Sequence, residues 1–207
     1  MTVVEFAILH VNPGIVPTHP SLLTNLAACK RVMEGFTQRP FYYLRQREDP
    51  SVIYALGEWP SVEFHNTSFV GSPAYRELVT LLAPFVGIEL LVHVDVDART
   101  LPLDAPVISI GRHSVPPARL AAFQKAFGEN KQHLDGYVSR DRKPTGGWRV
   151  ERGDDGCEEW ILFCGWETIE EHFGFASTEA FANYSRIREF IANADIKHAE
   201  VIPLSGS

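Results

Sequence analysis

Six of the eight histidines in this chain stand in a repeating pattern. Twice a Trp precedes a His by six residues, as Trp59 with His65 and as Trp166 with His172, and each time a Glu lies one or two residues before the His. Each stretch ends on a short β-rich run holding another His: Val92-His93-Val94-Asp95-Val96 and Lys197-His198-Ala199-Glu200-Val201. The beginnings also match, His10-Val11-Asn12-Pro13 with His113-Ser114-Val115-Pro116. Imidazole titrates near neutrality, so a pocket His can remove a phenolic or α-carbon proton at physiological pH. The phenolate or enolate so formed can give an electron to O2 or close a ring by attacking a carbonyl. A Trp wall suits a flat aromatic molecule through stacking and desolvation. Each residue also has a plainer reading. The Trp plugs a strand-to-helix corner, and the His satisfies hydrogen bonds of the fold.

Other side chains could assist. Tyr75 and Tyr184 fall on second helices, and Tyr42, Tyr43 and Tyr54 on strands, where hydroxyls can orient a substrate. Arg45 and Arg140, each read on a second strand, could hold an anionic group. Other chemistry lacks its motif. The chain has no H-E-x-x-H, no paired cysteines, no facial-triad spacing, no G-x-G-x-x-G after a strand, no phosphate loop and no G-x-S-x-G. Neighbours such as Glu170, Glu171 and His172 point to different faces of a helix and make no metal set.

Three matched His pairs in one order, bracketed by similar elements, make an internal duplication the best account. Each half reads strand, helix, strand, strand, helix, strand. In the first, these are Val3 to Val11, His19 to Phe36, Phe41 to Arg47, Val52 to Trp59, Val62 to Phe85 with a break near Gly71-Ser72-Pro73, and Ile88 to Val96. In the second, they are Val107 to His113, Pro116 to Leu134, Tyr137 to Arg142, Glu158 to Trp166, Ile169 to Asn193 with a break near Ala176-Ser177, and Ile196 to Ile202. The connection Lys143 to Gly156, with Gly146-Gly147 and Trp148, reads as a lid or a variable surface loop. The expected organisation is residues 1–97, a linker over 98–106, and residues 107–207. The fold class is α+β: two fused ferredoxin-like repeats whose four-stranded antiparallel sheets carry helices on one face. Several strands are apolar on both faces, so the bare faces are expected to pack on each other.

Composition narrows the classes. The chain has 207 residues and a net charge of −7, without the basic footprint of a general nucleic-acid or acidic-membrane binder. No apolar run approaches the roughly 18–20 residues of a membrane span. The opening Met1-Thr2-Val3-Val4-Glu5 lacks the basic region of an export signal, and Cys29, Cys157 and Cys164 read as buried free thiols. A soluble cytoplasmic protein is expected, with no nucleic-acid or membrane partner. Pairing of the fused unit into a homodimer is left open.

The stretches Trp59…His65…Ser72-Pro73-Ala74-Tyr75 and Trp166…His172…Phe175…Ser177, each between a third strand and a second helix, carry a resemblance. The chain resembles two fused copies of the antibiotic-biosynthesis-monooxygenase-type dimeric α+β barrel, over nearly its whole length. Relatives of that fold include oxygenases that use no cofactor, haem-degrading proteins, polyketide cyclases, lactone isomerases and stress-response proteins, so architecture transfers better than activity. The resemblance implies a pocket in each half between sheet and helices. His172 and His65 are the candidate bases, and Trp166, Trp59, Tyr184, Tyr75, His113, His10, His198 and His93 the candidate substrate contacts. It implies a tailoring enzyme for a hydrophobic aromatic or polyketide-type molecule, with no cofactor and with O2 as co-substrate. The rivals are a non-oxidative cyclase, lyase or isomerase, a non-catalytic ligand-binding or stress-response barrel, and a haem-degrading protein. The halves have diverged, and the second is the favoured working pocket.

Overall fold

The computed structural model describes residues 2–153 and 156–204. Val3–Val11 is β1, and it is buried on both faces except at His10. Its sequence is therefore a mostly apolar run, broken by Glu5 and His10, rather than an alternation. α1, Pro20–Thr37, opens with a proline whose missing N–H costs nothing there, and His19 Nδ1 accepts from the Ser21 N–H. It closes at Gln38, whose φ of 58° is left-handed. β2 (Phe41–Gln46) and β3 (Val52–Trp59) follow as a hairpin. A π-helical turn, Phe64–Phe69, leads to α2, Pro73–Leu82, which Ser72 caps through its hydroxyl. β4 is Val86–Val94.

The second half repeats this order: β5 (Val107–Val115), α3 (Leu120–Asp135), β6 (Thr145–Trp148), β7 (Glu158–Trp166), α4 (Ile169–Phe175), α5 (Glu179–Tyr184) and β8 (Asn193–Val201). The chain forms two compact units, one reaching to Ala98 and resuming at Val201, the other spanning Arg99–Glu200. Strand order in the first is β4-β1-β3-β2, and in the second β8-β5-β7-β6, every described pair antiparallel. The fold is thus α+β, two ferredoxin-like repeats. In the first unit the helices cover the sheet face bearing Ala7, Leu9, Ile53, Ala55 and Trp59. In the second they cover the face bearing Val107, Leu162, Cys164 and Trp166.

Three expectations need correction. Tyr137 to Arg142 is not a strand; α3 gives way there to turns, and Arg140 lies exposed in them. The second strand of this repeat is β6, inside the stretch read as a lid or loop. Gly146 is where the chain approaches β7 closely: a Cβ there would lie 2.6 Å from the Ile161 carbonyl oxygen. Trp148 pairs with Trp160 across the ladder, ring centroids 5.1 Å apart. Of the loop beyond, Asp154 and Asp155 lie outside the described residues. Lastly, His10 and His113 are not equivalent. Val3 pairs with Trp59 and Val107 with Trp166, so His113 corresponds to Leu9 and His10 to Ser114.

A close-packed strand and a loose lid respond differently to one methyl group. Gly146→Ala is expected to lower stability by about 1–3 kcal/mol through overpacking. Gly128→Ala, on α3 with open space around it, is expected to raise it by up to about 1 kcal/mol. Urea unfolding of the two variants checks both, and an unchanged Gly146→Ala midpoint would restore the lid.

Candidate active site

Two residues after Val3 and Val107, β1 and β5 present Glu5 and Ser109 toward the helices. Each is flanked in the sheet by a His, Glu5 by His93 and Ser109 by His198. In the first unit the buried Trp59 donates its indole N–H to Glu5 at 2.8 Å and stacks on His65 with centroids 4.1 Å apart. His65 Nδ1 meets His93 Nε2 at 2.8 Å. In the second, Trp166 donates to Ser109 at 2.9 Å and stacks on His172 at 4.3 Å, and His172 Nδ1 meets His198 Nε2 at 2.7 Å. Local sequence sets this up. Thr168 caps α4 by accepting the Glu171 N–H, and Glu171 accepts from the Glu167 N–H, which fixes the turn that presents His172. In each pair one nitrogen must donate and the other accept, so both rings cannot be doubly protonated in this geometry.

The two sites then diverge. Around His65 the first unit is a packed aromatic cluster of Trp59, Phe64, Phe69 and Phe41, with Tyr75 edge-on to Phe69. Burial pushes the Glu5 carboxyl up to about 7, against the hydrogen bond from Trp59 and the field of His93. His65 Nε2 stands 3.6 Å from the same carboxylate. Beside His172 the second unit holds a cavity of about 300 Å³. Its walls include Trp166, Phe175, Phe181, Leu162 and Ile187, and its polar groups include His113, His172, Ser109, Tyr184 and Arg188. Gly111 and His113 stand where the first unit has Ala7 and Leu9. The His113 ring lies over Gly111, where a Cβ would come within 2.7 Å of its Cε1.

His113 is buried, and its Nδ1 lies 3.3 Å from the Trp160 carbonyl oxygen. A carbonyl only accepts, so Nδ1 carries the proton and Nε2 a lone pair. Burial lowers its proton affinity below the ordinary imidazole value, Arg188 nearby adding to the effect, while hydrogen bonds to Trp160 and Gly111 oppose it. The balance favours the neutral imidazole. Burial also raises the Cys164 thiol and the Tyr184 hydroxyl, so both stay protonated.

The sequence-derived candidates therefore separate. His172, His113, Trp166 and Tyr184 line the cavity, with His198 bonded behind His172. Trp59, His65 and His93 form the closed counterpart, and Tyr75 packs on its aromatic core. His10 points to the opposite face of its sheet and pairs with Glu89 in the open. Parity explains this: four residues separate His113 from Ser109, but five separate His10 from Glu5. Ser109, Glu5, Gly111 and Arg188 were not singled out as site residues. A glycine inside a strand is itself a sign of close approach and could have marked Gly111.

No protein-family model and no curated protein matches the sequence. Solved structures do. A Fusobacterium nucleatum protein given a provisional monooxygenase name is 11% identical, with a TM-score of 0.69 over 98% of this chain and 93% of that one. A protein described as anthrone oxidase-like is 14% identical, with a TM-score of 0.67 over 99% and 94%. A chlorite dismutase of Candidatus Nitrospira defluvii, in complex with cyanide, is 11% identical, with a TM-score of 0.64 over 98% and 91%. At these identities the likeness shows the fold. It also corrects the expectation that no cofactor is used: chlorite dismutases are haem-dependent, so freedom from a cofactor does not follow from this fold. His113 has the bare nitrogen that a haem iron takes. The cavity lies at the lower end of the range for drug-sized ligands. Among the described residues no three His, Cys, Asp or Glu side chains converge as a metal set, and no helix is long and apolar enough to cross a membrane.

Glu5 offers a test of the closed site. A carboxyl raised from 4.5 to about 7 costs the folded state nothing below pH 4.5, and stability is lost as pH rises between those values. Full ionisation costs on the order of 3 kcal/mol. Glu5→Gln still accepts from Trp59 and carries no charge. It is expected to be more stable than the parent at pH 8 and equal to it near pH 4.5, read from urea unfolding at both values. A pH-independent difference would show that the carboxyl is not the cause.

Proposed function

We propose that this protein is an enzyme of the monooxygenase-like group within this fold, acting on a small apolar, oxygenated molecule of aromatic or polyketide type in the cavity of the second unit. His113 is the base. The observation that carries this reading is a buried imidazole in the cavity lining whose Nδ1 lies 3.3 Å from the Trp160 carbonyl oxygen, an acceptor only, so that Nε2 is the nitrogen left to take a proton. The neighbour described as anthrone oxidase-like supports the choice of substrate class.

The chemistry is then simple to write. Nε2 takes a proton from an activated methylene or a phenol. The anion gives an electron to O2, and recombination forms a carbon–peroxide bond. The imidazolium protonates the peroxide, Nε2 then takes the remaining proton on that carbon as the O–O bond breaks, and the departing hydroxide recovers this proton, leaving a carbonyl and water. Trp166 and Phe175 hold the flat body, and Tyr184, still protonated, donates to a substrate oxygen. His172 lines the same cavity, held by its hydrogen bond to His198. The non-oxidative rival uses the same abstraction, the anion attacking a carbonyl instead.

Oxygen uptake and product mass against anthrones, phenols and polyketide-like diketones test this. Turnover is expected with at least one class, falling about 100-fold or more in His113→Gln and persisting in His65→Gln. Because burial depresses the His113 value, the rate is expected to reach its plateau before neutrality, with an ascending limb centred below 6.5. Product without oxygen uptake would select the non-oxidative rival. Equal losses in the His113 and His65 variants would overturn the assignment.

A further inference from the structure

The cavity of the second unit has no acidic side chain in its lining, yet it has an arginine. Arg188 belongs to a short 3-10 segment, Ser185–Phe190, that follows α5. It is exposed, so it stands at the mouth, and its guanidinium lies over the Phe181 ring, 5.6 Å from the centroid. Elsewhere in this unit Arg112 and Arg149 share Glu159, and Arg142 pairs with Glu167. Among the described residues Arg188 makes no ion pair. The other titratable groups in the lining are His113, His172, Cys164 and Tyr184, none of them an anion at neutral pH given the shifts of the thiol and phenol.

We infer that the second-unit cavity takes an apolar molecule bearing a carboxylate, with Arg188 gripping the carboxylate at the mouth while the apolar body fills the space between Trp166, Phe175 and Phe181. A planar guanidinium already laid on an aromatic ring is a fixed fork, and a carboxylate matches that fork with two parallel hydrogen bonds. Held so, the ligand turns its far end inward, toward the sheet that carries His113. A free arginine beside a cavity without acids also disfavours cationic ligands. The inference deepens the function proposed above by naming a charge on its substrate, and it rests on the same cavity. Binding alone can test it, without turnover.

Calorimetric titration with benzoate and 2-naphthoate, each against its neutral amide, is the experiment. At least one acid is expected to bind the parent about tenfold or more tightly than its amide, the advantage shrinking with added salt. Arg188→Gln should erase that advantage and leave amide binding unchanged, while Arg188→Lys keeps part of it, having the charge without the fork. His113→Gln should lose turnover and keep the preference for the acid, so the catalytic reading can fail while this one stands. Equal binding of acid and amide, no binding of either acid, or a preference that survives Arg188→Gln would overturn it.

Discussion

A fully buried indole must find an acceptor for its one N–H, and this requirement organises both halves of the chain. Trp59 and Trp166 end their strands at the corner where chain passes from sheet to helix. Each reaches across to the first strand of its repeat, two residues in. The acceptor there fixes the ring, the ring fixes the histidine stacked on it, and that histidine holds another from the neighbouring strand. A tryptophan, two histidines and an oxygen acceptor thus form one unit, placed by β pairing and repeated nearly atom for atom.

What differs is small and sufficient. With Glu5 as acceptor the unit contains a buried carboxyl, and Ala7 and Leu9 continue its strand with ordinary apolar bulk. With Ser109 the acceptor is short and neutral, Gly111 removes a side chain, and His113 folds into the space so released. Glycine is needed at 111 because the imidazole lies against that stretch of backbone. The same three register positions close a core in one repeat and line a cavity in the other.

Much of this was legible in the residues. The Trp–His spacing, the repeated element order and the α+β class follow from period-two and period-3.6 patterning together with internal similarity. Other features were not. The His113 match to His10 rested on proximity to a proline turn, and only ladder register shows that one faces the helices and the other faces away. β6 escaped because Gly146-Gly147 has the composition of a loop, although both pair with β7 and Gly146 serves close strand contact. Glu5 and Ser109 share no side-chain chemistry beyond an oxygen, so no comparison of residue types pairs them. Arg188 matters through what is missing around it, which no linear reading reveals.

Carrying both repeats on one polypeptide has a genetic consequence. When two identical subunits assemble, any substitution is installed twice, and a change that opens one core opens its twin as well. Here Ala7 and Gly111, or Leu9 and His113, are separate codons at matched places. A change at one of these places therefore leaves its counterpart as it was, so loss of packing in one repeat need not be endured by the other.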